Sequence, residues 1–373
     1  MASRAIAVAG HVCLDMIPTF PPHARVELAP GALIHVGPSV RSIGGAVGNT
    51  GLALHRLGQP VRLIGKLGDD GFGRGVLTLL DAIDPTLADA MTVAPGATSS
   101  YTVVIQPPDV DRLFLHCPGA NDTFTDADID LDKLDDAAIL HFGYPPVMRS
   151  MLDPEPAYRM FTEAHRRGLI TSLDMTAIDP ASDAAHVDWI AWLRRVLPTV
   201  DLFLPSLDET LTMLSEPPGP PTPKTLAMVT DRLLDLGARV VMLKLGDRGA
   251  SLRTASDPPE RLVQRVGAGW ADRELHAPCF QAEVLGTTGT GDCTIAGFLA
   301  SVMRGDGPID CLTAATAVGG ASVETMDATS GLPAWSAIAQ RIAAGWPRHA
   351  PTGGFEGWAE LGQGVRRGPR DGG

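Results

Sequence analysis

Short apolar, β-branched runs alternate with helical periods along most of this chain, and that alternation narrows the fold more than any single residue does. The runs are "AIAVAG" (5–10), "VRLIGKLG" (61–68), "AAILHFG" (137–143), "LITSLD" (169–174), "DLFLP" (201–205), "RVVMLKLG" (239–246) and "CFQAEVLG" (279–286). Between them stand stretches such as "VGNTGLALHRLG", "EPAYRMFTEAHRRG" and "TLAMVTDRLLDLG", whose apolar residues recur at helical spacing. Strand and helix in alternation predict a mostly parallel sheet covered by helices on both faces, a three-layer α/β/α domain. Ligands of such sheets gather at the carboxyl ends of the strands, where several of these runs end in Gly, Asp or Pro.

A second pattern interrupts the first. "IHVGPSVRSIGG" (34–45), "SSYTVVIQPP" (99–108) and "RLFLHCPGAN" (112–121) alternate apolar and polar residues, and the last two flank the turn "PPDVD", which reads as a hairpin. With the segment at 11–18 they predict a small separate sheet, a lid inserted into a main domain that spans 1–345. "EPPGPPTPK" (216–224) is a proline-rich surface loop, and residues 346–373 read as a C-terminal tail of low order.

Composition excludes several classes. A net charge of −13 with no offsetting basic tract argues against a nucleic-acid or anionic-membrane partner. Five cysteines, an odd number without a C-x-x-C pair, fit a reducing compartment better than a disulfide framework. The N-terminal segment makes a poor signal peptide and no apolar run reaches membrane-span length, so the expected location is cytoplasmic.

The chemistry concentrates in "LGTTGTGDCTIAGFLASVMRG" (285–305), where a glycine-rich turn runs straight into a helix whose apolar face starts at Ile295. The first N–H groups of a helix lack intrahelical partners, and the helix dipole adds partial positive charge there. Glycines let such a turn close around an anion, so "GTTGTGD" reads as a phosphate cradle. No Lys-Ser/Thr follows it, so it is not a Walker A loop. Asp292 then stands out. An acidic first-turn residue commonly just complements the dipole. Beside a cradle for phosphates it repels the ligand unless it has a task, and accepting a proton from an attacking hydroxyl is such a task.

These residues resemble the ribokinase-like, PfkB-type carbohydrate kinases. "GTTGTGD" is similar to that family's second signature, and "GGAVGNTGLALHRLG" to its first, in matching order within residues 5 to 345. The resemblance implies a ribokinase-like fold, ATP and Mg²⁺ as cofactors, an anion hole at Gly289, Thr290 and Gly291, and Asp292 as catalytic base. It assigns Gly44, Gly45 and Asn49 to sugar hydroxyls, with Asp15 at the end of "AVAGHVCLD", and Asn121 and Gly143 beside them. "PSLDE" matches an Asn-x-x-Glu motif with Ser206 in place of asparagine and Glu209 as an indirect magnesium ligand. "KLGDRG" resembles the nucleotide loop, bringing in Lys244, Gly246, Asp247 and Gly249, and Thr316 stands where relatives carry an asparagine near adenine.

Three departures narrow what carries over. Gly286 replaces an aspartate that helps relatives hold a monovalent cation, which puts potassium activation in doubt. Thr290 replaces alanine in a cradle built from backbone. Gly143 stands where some sugar kinases place an acidic ligand. His11, His55 and His141 lack ligand-spaced or triad-like companions and read as structural. The expected function is transfer of the γ-phosphoryl of ATP to a hydroxymethyl group of a sugar, in a homodimer clasped through the lids. A nucleoside kinase of the same family and an idle sugar sensor stay open; Tyr101 and Phe114 are the aromatic candidates for holding a base. A nicotinamide oxidoreductase fits poorly, since the first strand lacks a dinucleotide turn.

Overall fold

The computed structural model describes residues 4–21, 30–107, 113–327 and 329–373. In chain order, β1 (Ala5–Gly10), β2 (Cys13–Pro18) and β3 (Ser39–Gly44) lead into α1 (Gly45–Arg56). There follow β4 (Val61–Ile64), β5 (Lys66–Gly68), α2 (Gly71–Ile83), β6 (Thr92–Ala94), β7 (Tyr101–Ile105), β8 (Leu113–Cys117) and β9 (Ala137–Gly143). Strand and helix then alternate: α3 (Pro154–Arg166), β10 (Ile170–Asp174), α4 (Trp189–Val196), β11 (Leu202–Phe203), α5 (Leu207–Met213), α6 (Pro223–Asp235) and β12 (Val240–Lys244). The chain closes with β13 (Ala250–Thr254), α7 (Glu260–Val266), β14 (Glu274–Ala277), α8 (Thr290–Arg304), α9 (Pro308–Ser322), α10 (Trp335–Ala343), β15 (Ala359–Gly362) and β16 (Val365–Arg367).

The main sheet runs β15-β16-β14-β13-β12-β11-β10-β9-β1-β4. It is parallel from β4 to β12 and antiparallel beyond. Alternate residues of each central strand enter separate cores. Ile6, Val8, Ile139, Val240 and Met242 face one; Ala7, Ala9, Leu140, Phe142, Val241 and Leu243 face the other. A strand buried on both faces has no polar side to show, which is why these runs read as continuously apolar. The three-layer α/β/α architecture follows.

The interrupting segments form a second sheet, ordered β3-β2-β7-β8. Its register sets Asp15 opposite Ser42 and Thr102, and Thr102 opposite His116, so these side chains share one face. The turn "PPDVD" (107–111) lies, from 108 on, outside the described residues.

Two expectations are corrected. "CFQAEVLG" (279–286) forms no strand: Val284 and Leu285 are exposed, and the strand of this region is β14, which stops before Pro278. The segment after residue 345 is not a loose tail. β15 and β16 extend the sheet past β14, Phe355 and Val365 are buried, and Arg370 and Asp371 pair with Glu274 and Arg273. Charges at its end are taken up in ion pairs with the body. No helix among the described residues is long and apolar enough to cross a membrane.

Candidate active site

The carboxyl ends of β1, β9, β10 and β12, the small sheet and the N-terminus of α8 enclose a cavity of about 860 Å³. Residues from Thr287 to Asp292 line it. Gly289, the N-cap of α8, has φ 67°, a left-handed conformation that a side chain resists, and this turns the chain sharply into the helix.

Asp292, in the first turn, is 2 % exposed. Its Oδ2 accepts hydrogen bonds from Asn49 Nδ2 at 3.0 Å and from the Tyr144 hydroxyl at 2.7 Å. Oδ1 accepts one from Thr50 Oγ1 at 3.2 Å. Burial raises its pKa above the ordinary carboxylate value, against Lys244 and those three donors, which pull it down. A buried, raised, fully oriented carboxylate at a helix N-terminus is suited to taking a proton and poorly explained as a helix cap.

Asn49 and Thr50 reach Asp292 because α1 begins at Gly45 with φ 79°, where a Cβ would meet His11 Nδ1 at 2.5 Å. Glycine there lets α1 start against the end of β1. Gly44 backs Asp15: a Cβ on it would lie 2.2 Å from the carboxylate. Asp15 lines the cavity, takes a bond from the Cys13 thiol at 3.2 Å, and has its pKa pushed up to about 6, chiefly by burial.

At the far end, Asp174 and Lys244 form an ion pair at 2.6 Å, both side chains largely buried. Asp174 Oδ2 is buried and unpartnered. Burial raises the Asp174 pKa, and nearby Glu209 and Asp292 add to this against Lys244. Burial opposes the charge on Lys244, but Asp174, Glu209 and Asp292 outweigh it and raise its pKa. Ser206 and Glu209 also line the cavity. They form the capping box of α5: Ser206 N–H donates to Glu209 Oε2 at 2.8 Å, and Glu209 N–H to Ser206 Oγ at 3.3 Å.

Of the residues the sequence singled out, the cavity therefore gathers Asp15, Gly45, Asn49, Ser206, Glu209, Lys244, Gly246, Gly289, Thr290, Gly291 and Asp292. Others are occupied elsewhere. The Asn121 amide is spent on the backbone of Val12, accepting from its N–H at 3.2 Å and donating to its carbonyl at 2.9 Å. Gly143 is glycine because α1 presses on β9: a Cβ would lie 2.2 Å from the Ala46 methyl. Gly249 abuts the Ala277 carbonyl, Asp247 is exposed, and Thr316 is buried in α9, bonded to Leu312, Thr313 and Arg348.

Sequence reasoning passed over Thr50, Tyr144, Asp174, Thr102 and His116, the last four lining the cavity. Asp174 was findable, since it ends a strand at the carboxyl edge where ligands collect. His11 also lines the cavity; its Nδ1 is buried without a partner, and burial and then His116 hold it well below its usual pKa. His141, bonded to Ser172 at 2.9 Å inside the sheet, is structural.

Comparison with known proteins identifies the family and the fold. Residues 3–335 match the pfkB family carbohydrate kinase model. An uncharacterised sugar kinase of Archaeoglobus fulgidus is 24 % identical over 282 residues, 76 % of this chain and 98 % of that one. Fructokinase-2 of Solanum habrochaites is 31 % identical over 144 residues, 38 % of this chain and 41 % of its own length, so that match spans less than half of the plant enzyme. The solved structure of a putative ribokinase II from E. coli, in complex with ATP and Mg²⁺, superposes with a TM-score of 0.69 at 20 % identity, covering 91 % of this chain and 99 % of that one. The chain belongs to the pfkB family and is an ATP-dependent carbohydrate kinase.

Proposed function

We propose that this kinase transfers the γ-phosphoryl of ATP to a hydroxymethyl group of a sugar, with Asp292 as general base. The observation that carries this reading is the placement of a buried, hydrogen-bonded carboxylate at the N-terminus of α8, in one cavity with Asp15 and Asn49. Asp15 and Asn49 hold sugar hydroxyls. The acceptor oxygen forms a bond to the γ-phosphorus as its proton passes to Asp292. The bond from that phosphorus to the β,γ-bridging oxygen breaks, and its electron pair leaves with ADP. Gly289 to Gly291 steady the transferred group through their backbone.

Magnesium suits the residues present, because it takes one or two carboxylates plus phosphate oxygens and keeps its waters. Asp174, with one buried oxygen unpartnered, and Glu209 would hold it, and it would offset the charge of the phosphates. Lys244 is the nearby cation for a phosphate oxygen. Of the two aromatic candidates for a base, Tyr101 stacks on Phe72 at 4.8 Å and is absent from the cavity lining, while Phe114 lines it, so a nucleoside stays open beside a sugar. The small sheet acts as a lid, and exposed Val40, Leu113 and Leu115 on it support a homodimer clasped through the lids. Five cysteines outside any disulfide, three of them buried, fit the cytoplasm.

The test is ADP release with a panel of free sugars, sugar phosphates, sugar acids and nucleosides, run on wild type and Asp292→Asn. With the best acceptor the variant should turn over about a hundred- to ten-thousand-fold more slowly while acceptor affinity changes little. A variant within a few-fold of wild type would end the general-base reading.

A further inference from the structure

We propose that Tyr144 is a positioning residue that covers the base against water until an acceptor hydroxyl takes its place. This rests on the reading of Asp292 as general base. A carboxylate accepts a proton along an oxygen lone pair, and both positions on Oδ2 are filled, one by Asn49 and one by the Tyr144 hydroxyl. Asn49 and Thr50 are fixed in α1, which packs against α8. Tyr144 instead ends a long side chain that enters the cavity from the end of β9, so it is the donor that can leave.

Its backbone supports a set position. Tyr144 has φ 73° and ψ 40°, left-handed for a residue with a Cβ, and such strain persists where the surroundings enforce it. Its N–H donates to the Asp174 carbonyl at 3.3 Å, and its carbonyl accepts from Val147 at 3.2 Å. A tyrosine phenol, with an ordinary pKa of about 10, keeps its proton at neutral pH. It therefore remains a donor throughout the working pH range.

The chemical consequence concerns water. An open base beside ATP can deprotonate water, whose oxygen then bonds to the γ-phosphorus while ADP leaves with the bridging oxygen, giving ADP and inorganic phosphate. With the phenol on Oδ2, water has no lone pair to use on that oxygen; Oδ1 accepts from Thr50 alone among these donors, so the phenol narrows the access of water to the base and does not close it. A sugar held by Asp15 and Asn49 competes for that position with several contacts at once.

Tyr144→Phe keeps the ring and removes the donor. Two readouts apply: ADP release from magnesium ATP with no sugar, and the pH dependence of kcat/KM with the best acceptor. The ratio of sugar-independent to sugar-dependent ADP release should rise about tenfold, the worth of one charge-assisted hydrogen bond. The acid limb of kcat/KM should move to higher pH, because a donor that lowers the Asp292 pKa is gone. In a third measurement without nucleotide, the best acceptor should perturb tyrosine absorbance in wild type and not in Tyr144→Phe. An unchanged ratio with the acid limb in place overturns the proposal, as does an unchanged ratio accompanied only by a lower melting temperature. The double variant with Asp292→Asn separates the two readings. If Asp292 is the base, it abolishes the extra hydrolysis; if Asp292→Asn alone keeps the wild-type rate, the base assignment fails whatever Tyr144 does.

Discussion

Asp15 and Asp292 occupy one cavity with different hydrogen-bond partners. Asp292 has three donors that hold its charged form ready. Asp15 has the Cys13 thiol and Thr102, which offset only part of its burial, and titrates at about 6. Between about pH 4 and 6 the folded protein keeps a proton on Asp15 that the unfolded chain gives up, so this group's contribution to stability falls as pH rises through that window. Above pH 6 the cost is on the order of 3 kcal/mol, at about 1.4 kcal/mol per pH unit. Asp15→Asn should therefore melt higher than wild type at pH 8, converge with it near pH 4, and bind acceptor more weakly. Melting curves at the two pH values, with acceptor KM measured alongside, check this. Asp292 and Asn49 were legible because each lies in a local pattern whose physics is visible from a few neighbours. Tyr144 was not: its partner is 148 residues away, and nothing within "FGYPP" signals that β9 delivers it to the start of α8.

At the scale of elements, the loop before α8 bears on monovalent cations. A Cβ at Gly286 would lie 2.6 Å from the Thr325 carbonyl and 2.7 Å from that of Met326, closer than real side chains come. The aspartate that relatives carry has no room unless this loop moves. Exchange of sodium for potassium should leave turnover unchanged, and steady-state rates in matched chloride buffers test it; a large gain with potassium would mean that carbonyls alone build a site. The central strands were readable from composition because burial on both faces leaves them uniformly apolar. β13, β14 and β16 were not, since short antiparallel strands near an edge mix charge with apolar residues: Arg253, Glu274 and Arg366 all sit in ladders. The run at 279–286 misled for the converse reason. It has strand-like composition and, among the described residues, only the single bridge of Phe280 to Arg348 to pair with.

For the whole molecule, the small sheet poses the open question. Leu113 and Leu115 remain exposed on the face away from Asp15, and Val40 on the face shared with it. If two lids cover each other, Leu115→Asp should convert a dimer to a monomer at micromolar concentration, and light scattering reads the mass directly. A wild-type monomer under the same conditions would remove the premise. The existence of this sheet was legible from alternating polarity, because one covered face imposes a period of two. The same pattern does not distinguish a second subunit from water, since an exposed leucine on an edge strand looks the same in a chain whichever faces it.

The outermost strand β15 has a consequence for how these molecules behave in a crowd. A wide sheet offers its last row of free N–H and C=O groups to any extended chain that drifts past, and that is how globular proteins begin to stack into fibres. Here that row belongs to four residues, Ala359 to Gly362, with a register irregularity between Glu360 and Gly362 and a glycine at φ 130° that bends the strand away. Glu360 pairs with Arg366 across it, so a passing strand meets charge and a kink. Without residues 359–367 the exposed edge would be β14, whose four residues are all buried, and the free row of N–H and C=O groups would lie open to a neighbouring chain.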